Sequence, residues 1–161
     1  MLPCETFRAI EQFVLKEARL LDEGQFEAWL DLYAPDGIYW MPSKPGQTDP
    51  LNVASIIYED HAILAIRVQR LLEARALVLT PMPRTVHLVS NIEVVKGDAQ
   101  SQDFEVGSAF LCTEIQGERQ RIYAGRQIHH ISRQDESFRI RRKHVALINC
   151  DGVHAPMTIP I

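Results

Sequence analysis

The sequence predicts an α+β fold in which helices come first and a series of long strands follows. Apolar residues recur every three or four positions over residues 7–33, which is the period of amphipathic helices. From residue 85 onward they alternate with polar residues, which is the period of strands. Short polar stretches separate these later segments, and such connections suit antiparallel hairpins. With 161 residues the chain has the length of one domain, so residues 1–161 are expected to form a single domain.

The composition is that of a globular protein without affinity for nucleic acid or membranes. Hydrophobic residues make up 46% of the chain, charged residues 24%, and the formal net charge is -4. A mildly acidic chain lacks the basic surface that attracts a phosphate backbone. The longest apolar runs, such as "ALVLT" at 76–80, are far shorter than the roughly 18 residues of a membrane-spanning helix. The start does not read as a secretory signal, and the odd number of cysteines fits reduced thiols, so we expect a cytoplasmic protein.

The first predicted helix covers residues 7–21. Its apolar residues are three or four positions apart, and charged residues occupy the opposite face. Thr6 or Glu5 can start this helix, and Gly24 ends it because glycine readily adopts the positive φ of a C-terminal cap.

A second helix is predicted over residues 26–33, directly after the first. Pro35, followed by Asp36 and Gly37, ends it because proline cannot continue the helical hydrogen-bond ladder. Residues 38–41 are all bulky and favour a strand. Because a single glycine joins the two helices, we expect them to fold back on each other.

The middle of the chain is predicted to hold a loop, a strand and a third helix. Residues 42–50 contain three prolines and a glycine, which indicates an irregular surface excursion. The segment "NVASIIY" at 52–58 favours a strand, and residues 61–75 have apolar side chains on one helical face.

The second half of the chain predicts a meander of four strands, over residues 85–94, 104–112, 120–131 and 137–149. In the last of these, Arg141, Arg142 and Lys143 interrupt the alternation, so we expect a β-bulge that bends the sheet. A bent sheet with helices on its concave side makes a cone. The final "HAPMTIPI" at 154–161 contains two prolines and is expected to be an ordered arm or a tail that contacts a partner.

Metal-ligand and phosphate-binding patterns are missing from the sequence. His129 and His130 are adjacent, so on a strand they point to opposite faces and cannot reach one ion. The other histidines lie in separate elements without the spacing of a metal site, and no cysteine pair accompanies them. Neither a P-loop nor a dinucleotide fingerprint is present. We therefore expect no metal and no cofactor in this chain.

One group of side chains suggests acid–base chemistry at the mouth of the cone, and it comprises Asp36, Tyr58, His87 and His144. A histidine beside a carboxylate in an apolar pocket can abstract a proton from a carbon acid, as a dehydratase or isomerase does. Asp36 is equally the natural first residue of an Asp-Gly turn. A stand-alone enzyme that uses Asp36 and His87, or a binding module with the same cavity, therefore remains an alternative.

Four segments resemble the small, or beta, subunit of aromatic-ring-hydroxylating dioxygenases: "EARLLDEGQFEAWLDLY" (17–33), "DGIYWMP" (36–42), "PRTVHLVSNIEV" (83–94) and "RKHVALINCD" (142–151). The resemblance implies a cone-shaped fold of the nuclear-transport-factor-2-like or cystatin-like kind, with a curved, mainly antiparallel sheet packed on N-terminal helices. It further implies a homotrimer that carries three large alpha subunits in an alpha3beta3 hexamer. In this family the alpha subunit holds the Rieske [2Fe-2S] cluster and the mononuclear Fe(II), and electrons come from NAD(P)H through a reductase.

The same resemblance gives roles to individual residues. Trp29 and Tyr33 are expected to anchor the core, whereas Tyr39, Trp40 and Met41 are expected to meet the core and neighbouring chains on alternate faces of a strand. Five arginines are candidates for ion pairs between subunits, since arginine suits bidentate contacts at interfaces: Arg67, Arg70, Arg84, Arg126 and Arg142. The small subunit itself is expected to contribute no catalytic residue to the dihydroxylation of an aromatic ring in aromatic catabolism.

Overall fold

The computed structural model of the chain describes residues 2–76 and 81–161. It contains three helices and six strands in the order α1 (Cys4–Asp22), α2 (Phe26–Leu30), β1 (Tyr33–Pro42), β2 (Ser55–Asp60), α3 (His61–Ala76), β3 (Arg84–Lys96), β4 (Asp103–Gln116), β5 (Arg119–Gln134) and β6 (Ser137–Leu147). The strands form one sheet in the order β2-β1-β6-β5-β4-β3. Most of the apolar run at 76–80 lies outside the described residues. No helix among the described residues is long and apolar enough to cross a membrane.

Helix α1 confirms the first predicted helix. It begins at Cys4, slightly before the predicted Thr6 or Glu5, with Pro3 at the N-cap position. Gly24 follows its C-terminal end with a φ of 68°, the conformation that favours glycine at this point. The apolar side of α1 packs against β3 and β6.

Helix α2 is shorter than predicted, and the prediction that it reaches Tyr33 is wrong. The backbone N–H of Ile140 donates to the carbonyl of Leu32 at 2.8 Å, so pairing with β6 starts directly after the helix. Strand β1 begins at Tyr33, and the Pro-Asp-Gly segment is a bulge inside this strand rather than a helix terminator. A Cβ on Gly37 would lie 2.8 Å from the carbonyl oxygen of Ile140, so the bulge requires glycine.

The meander β3–β6 confirms the predicted antiparallel strands. The predicted bulge in the last strand is also confirmed, because Ile131 pairs with Ile140 and the preceding His130 pairs with Arg142, which leaves Arg141 as the extra residue. The pairing of β1 with β6 is parallel and was not predicted. It places the first strand of the chain in the interior of the sheet, beside the last.

The curved sheet wraps α1, and its concave face forms the core together with the helices. Among the fully buried side chains are Ile10, Trp29, Met41, Leu64 and Ile140. Gly125 lies where the backbone of β6 approaches closely, since a Cβ there would lie 2.1 Å from the carbonyl oxygen of Ala146. The cone predicted from the sequence pattern is therefore present, and large side chains fill its interior.

Residues 154–161, which we call the arm, pack against the cone, in agreement with the ordered arm predicted for this segment. Ile159 and Ile161 are 3% and 2% exposed. The Tyr39 hydroxyl donates to the carbonyl of Ile161 at 3.0 Å and accepts from its N–H at 3.2 Å. The arm thus closes the wide end of the fold.

Candidate functional site

The structure places Asp36 on the surface, apart from the other candidate acid–base residues. Its carboxylate accepts a hydrogen bond from Arg141 at 2.5 Å, and both side chains are more than half exposed. Three strands, β6, β5 and β4, separate its strand β1 from the strand β3 that carries His87. The Asp36–His87 pair proposed for a stand-alone enzyme is therefore not assembled.

His87 instead pairs with Asp22, the last residue of α1. Its Nδ1 lies 2.6 Å from one carboxylate oxygen, and its backbone N–H donates to the other at 2.8 Å. The Thr85 hydroxyl donates to the same carboxylate at 2.9 Å. Burial raises the pKa of Asp22, but these hydrogen bonds outweigh it and hold the pKa below its ordinary value. The carboxylate therefore acts as a clamp that joins the end of α1 to the edge strand β3.

Tyr58 and His144 lie on the opposite face of the sheet from His87. Trp40 on β1 pairs with Tyr58 on β2 and with His144 on β6. Residues paired in this way point to the same face of the sheet. The neighbours of Trp40, Tyr39 and Met41, belong to the core, so this row faces outward. The His144 ring stacks on Trp40 with 4.6 Å between centroids, and burial together with nearby Arg142 lowers its pKa. The four acid–base candidates do not converge.

A buried polar cluster that the sequence pattern did not predict lies at the centre of the cone. Lys143 donates to both oxygens of Glu17 at 2.8 and 2.9 Å. The indole N–H of Trp29 donates to Glu17 at 2.7 Å, and His129 Nε2 lies 3.4 Å from the second oxygen. No side chain of the four is more than 1% exposed.

The electrostatics of this cluster are those of a structural ion pair. Burial raises the pKa of Glu17, but Lys143 and His129 outweigh it and hold the pKa far below its ordinary range. Burial lowers the pKa of His129, which is therefore neutral near pH 7. A carboxylate with such a low pKa is a poor general base, and in this conformation a substrate cannot reach it.

The residues that the structure describes contain no group of three or more His, Cys, Asp and Glu side chains that could hold a metal ion. His129 is buried and His130 is partly exposed, in agreement with the opposite orientations expected for neighbours on a strand.

The outer face of the sheet exposes a group of apolar side chains, which we call the sheet patch: Val86, Leu88, Leu111, Ile115, Ile122 and Ile148. Strand register makes it continuous, because Leu88 lies opposite Leu111, Leu111 opposite Ala124, and the N–H of Ile148 donates to Ala124. Val86 and Leu88 are 62% and 64% exposed. A contiguous exposed apolar surface of this kind is typical of a protein–protein contact.

The candidate interface residues divide between core and surface. Tyr39, Trp40 and Met41 are at most 5% exposed in the single chain. Arg67 is partly buried and paired with Glu59. The remaining four arginines are exposed, and they are Arg70, Arg84, Arg126 and Arg142.

A curved sheet wrapped on helices is the nuclear-transport-factor-2-like fold. The family model described as "Ring hydroxylating beta subunit" matches residues 16–151. The chain therefore belongs to the family of ring-hydroxylating dioxygenase beta subunits, as the four sequence segments predicted.

Individual relatives agree with this assignment. The chain is 34% identical over 146 residues to the anthranilate 1,2-dioxygenase small subunit of Acinetobacter baylyi, a match that covers 88% of each chain. It is 36% identical over 96 residues to the toluate 1,2-dioxygenase subunit beta of Pseudomonas putida, which covers 56% of this chain and 59% of that one. The crystal structure of the benzoate 1,2-dioxygenase beta subunit of Burkholderia mallei superimposes with a TM-score of 0.75 at 27% identity and covers 92% of this chain and 93% of that one.

Proposed function

We propose that this chain is the non-catalytic assembly subunit of an aromatic-ring-hydroxylating dioxygenase. It forms a homotrimer that carries three alpha subunits, and these hold the Rieske cluster and the mononuclear iron. The family match over residues 16–151 carries the proposal. The filled interior of the cone supports it, since the buried Glu17–Lys143 pair lies where an enzyme of this shape would need an open pocket.

The sheet patch supports self-association of the chain. A closed ring of identical subunits joins one surface of each copy to a different surface of the next. An apolar centre with charged residues around it is the usual anatomy of such contacts. Here the sheet patch supplies the apolar centre on the outer face of β3, β4 and β5.

Charged side chains of both signs surround the sheet patch. Strand register puts Arg84 opposite Ile115 and Arg126 opposite Ala109, and it puts Glu93 opposite Gly107. All three charged residues are exposed. Arg84 and Arg126 are therefore proposed to pair with carboxylates of neighbouring subunits, either a second copy of this chain or the alpha subunit.

The substrate is proposed to be an aromatic carboxylate. The relatives named above are subunits of toluate, anthranilate and benzoate dioxygenases, and each of these compounds carries a carboxylate on the ring. The alpha subunit supplies the ring-binding site, and electrons reach it from NAD(P)H through a reductase. A stand-alone dehydratase or isomerase that uses Asp36 and His87 is not favoured, because Asp36 pairs with Arg141 and His87 pairs with Asp22.

Native mass spectrometry tests the assembly directly. Three copies of the 18.4 kDa chain give a particle of about 55 kDa, as expected of a closed cyclic trimer. Co-expression with a ring-hydroxylating alpha subunit of the benzoate-dioxygenase type is expected to give a larger complex that oxidises benzoate-type substrates, whereas this chain alone gives no turnover. A strict monomer at micromolar concentration, or oxidation of an aromatic acid by the isolated chain, contradicts the proposal.

A further inference from the structure

The arm is held to the cone through its main chain at three points. Arg121 donates from Nη1 and Nη2 to the carbonyl of Pro156 at 3.3 and 3.4 Å. Arg67 donates from Nη1 to the carbonyl of Met157 at 3.2 Å. Tyr39 contacts both the N–H and the carbonyl of Ile161. Main-chain contacts of this kind accept any extended segment, and the side chains then decide which one fits.

The three anchors are positioned by the body of the fold rather than by the arm. The Nε of Arg121 donates a hydrogen bond to Glu114 at 2.9 Å, and the Nε of Arg67 donates one to Glu59 at 2.9 Å. Tyr39 is 1% exposed and packs edge-on against Trp29 with 6.3 Å between ring centroids. A site whose donors are already oriented loses little entropy when a ligand binds.

The apolar side chains of the arm fill the wide end of the cone. Ile159 and Ile161 are buried, and Met157 packs against the core at its edge. Beside Thr158 a groove of about 260 Å³ continues along α3, lined by Ile63, Ile66 and Leu71. The arm thus combines two buried apolar side chains with main-chain hydrogen bonds from Arg67, Arg121 and Tyr39.

The arm is joined to the rest of the chain by an exposed connection. Val153 is fully exposed, and Ala155 is exposed as well. Residues 153–161 belong to no helix or strand, so the arm takes no part in the backbone ladder of the sheet. The arm is therefore attached by main-chain hydrogen bonds and by two buried isoleucines, without a backbone ladder.

We propose that the wide end of the cone is a binding site for an extended apolar peptide, and that residues 156–161 occupy it as a ligand within the same chain. The site recognises two carbonyl oxygens through Arg121 and Arg67, the N–H and the main-chain oxygen of residue 161 through Tyr39, and two β-branched side chains in the positions of Ile159 and Ile161. This inference does not depend on the proposed oxygenase assembly.

A cleavable full-length chain tests the proposal. A protease recognition sequence inserted at Val153 lets the protein fold whole before the connection is cut. The probe is a fluorescent peptide of residues 154–161, "HAPMTIPI", whose binding is followed by fluorescence anisotropy. The cut protein is expected to exchange its arm for the probe saturably, with one peptide per chain, whereas the uncut protein binds none.

Matched variants define the recognition. A probe with aspartate at the positions of Ile159 and Ile161 is expected to bind at least about 100-fold more weakly, because two buried apolar side chains are lost. Tyr39→Phe in the cut protein is expected to weaken probe binding about tenfold. Tyr33→Phe is the control, since it removes a buried hydroxyl that has no hydrogen-bond partner among the described residues, and it is expected to leave binding unchanged.

Three results overturn the proposal. The first is that the probe fails to exchange even in excess. The second is that the cut protein loses its cooperative thermal transition when the arm is washed away, because the arm is then part of the core. The third is that cut and uncut proteins bind the probe equally, which places the probe elsewhere on the surface.

Discussion

The central residue of the buried cluster is Glu17, whose two oxygens receive hydrogen bonds from Lys143 and Trp29. A charge removed from water is tolerated only when its partners replace the lost solvation. The Lys143 ammonium also lies 5.8 Å from the Tyr39 ring centroid, so it faces an aromatic as well as a carboxylate. The cluster therefore fixes how α1, α2 and β6 meet, and its members depend on one another.

Lys143→Met is expected to destabilise the protein by about 3–5 kcal/mol, because Glu17 then remains as an unpaired buried charge. The free energy of unfolding in urea measures this. Lys16→Met, on the exposed side of α1, is the matched control and is expected to cost less than about 0.5 kcal/mol. Adding Glu17→Gln to Lys143→Met is expected to restore part of the loss, and strictly additive effects of the two changes would contradict the coupling.

His129 gives the fold a dependence on pH. Burial lowers its pKa, so below about pH 6.5 the unfolded chain takes up a proton that the folded chain does not. The stabilising contribution is therefore complete above that pH and is lost as the pH falls. Between about pH 7 and pH 5, wild type is expected to lose up to about 2 kcal/mol more than His129→Gln. Urea unfolding at several pH values checks this, and parallel pH profiles of the two proteins would contradict it.

At the scale of elements, the end of α1 and the edge of the sheet are joined by one side chain. Asp22 accepts from Thr85, from the backbone of His87 and from its ring. Edge strands expose unpaired backbone groups and are prone to unwanted pairing. The Asp22 clamp satisfies one such group on β3 and keeps the helix over this part of the edge.

Asp22→Ala is expected to cost about 2–4 kcal/mol, because three donors lose their acceptor. Glu23→Ala is the matched control on the neighbouring residue. The Glu23 side chain forms an exposed pair with Arg19 at 3.9 Å, so its loss is expected to cost less than about 1 kcal/mol. Hydrogen exchange is expected to show faster opening of residues 85–89 in Asp22→Ala alone, and equal protection in both variants would contradict the clamp.

The space around Gly125 and Gly107 predicts different effects of adding a side chain at the two positions. A Cβ at Gly125 would meet the backbone of Ala146 at 2.1 Å, so Gly125→Ala must push β6 away and is expected to cost about 3 kcal/mol or more. At Gly107 the nearest atom is in the flexible side chain of Val95, at 3.3 Å. Gly107→Ala is expected to change stability by less than about 1 kcal/mol, and similar thermal midpoints for the two variants would contradict this account.

Periodicity was enough to predict α1 and the four strands β3–β6, because apolar residues recur in them at the periods of a helix and of a strand. The end of α2 could not be found in this way, since Tyr33 continues the helical spacing while long-range pairing with β6 draws it into a strand. The sequence did carry a signal for the buried cluster. Glu17 stands three residues after Val14 and four before Leu21, in the apolar stripe of α1, and the bulge at Arg141 returns Lys143 to the inner face. The Asp22 clamp could not be predicted from the sequence, because an acidic residue at the end of a helix and next to Glu23 gives no sign of its distant partner His87.

In the whole molecule, the inner face of the sheet is covered by packed side chains, whereas part of its outer face exposes apolar side chains to solvent. The core uses large aromatic and aliphatic side chains, whereas the sheet patch leaves several side chains of similar character in solvent. A monomer rarely keeps such a surface exposed. The proposed trimer gives this surface a partner.

Val86→Glu combined with Leu88→Glu is expected to shift the proposed trimer to monomers, because charges then replace the apolar centre of the contact. The subunit dissociation constant is expected to rise at least about 100-fold, as measured by native mass spectrometry over a dilution series. Ile63→Glu on α3, where the side chain is 47% exposed, is the control and is expected to leave the mass unchanged. An intact trimer in the double variant would exclude the sheet patch as the contact.

The parallel pairing of β1 with β6 also bears on how the chain is made. Tyr33 and Ile140 are neighbours in the sheet but far apart in the sequence, so for most of synthesis a nascent chain on the ribosome can pair β1 with β2 but not with β6. The sheet cannot be completed until β6 has left the exit tunnel. Messages truncated before that point are therefore expected to yield only protease-sensitive fragments.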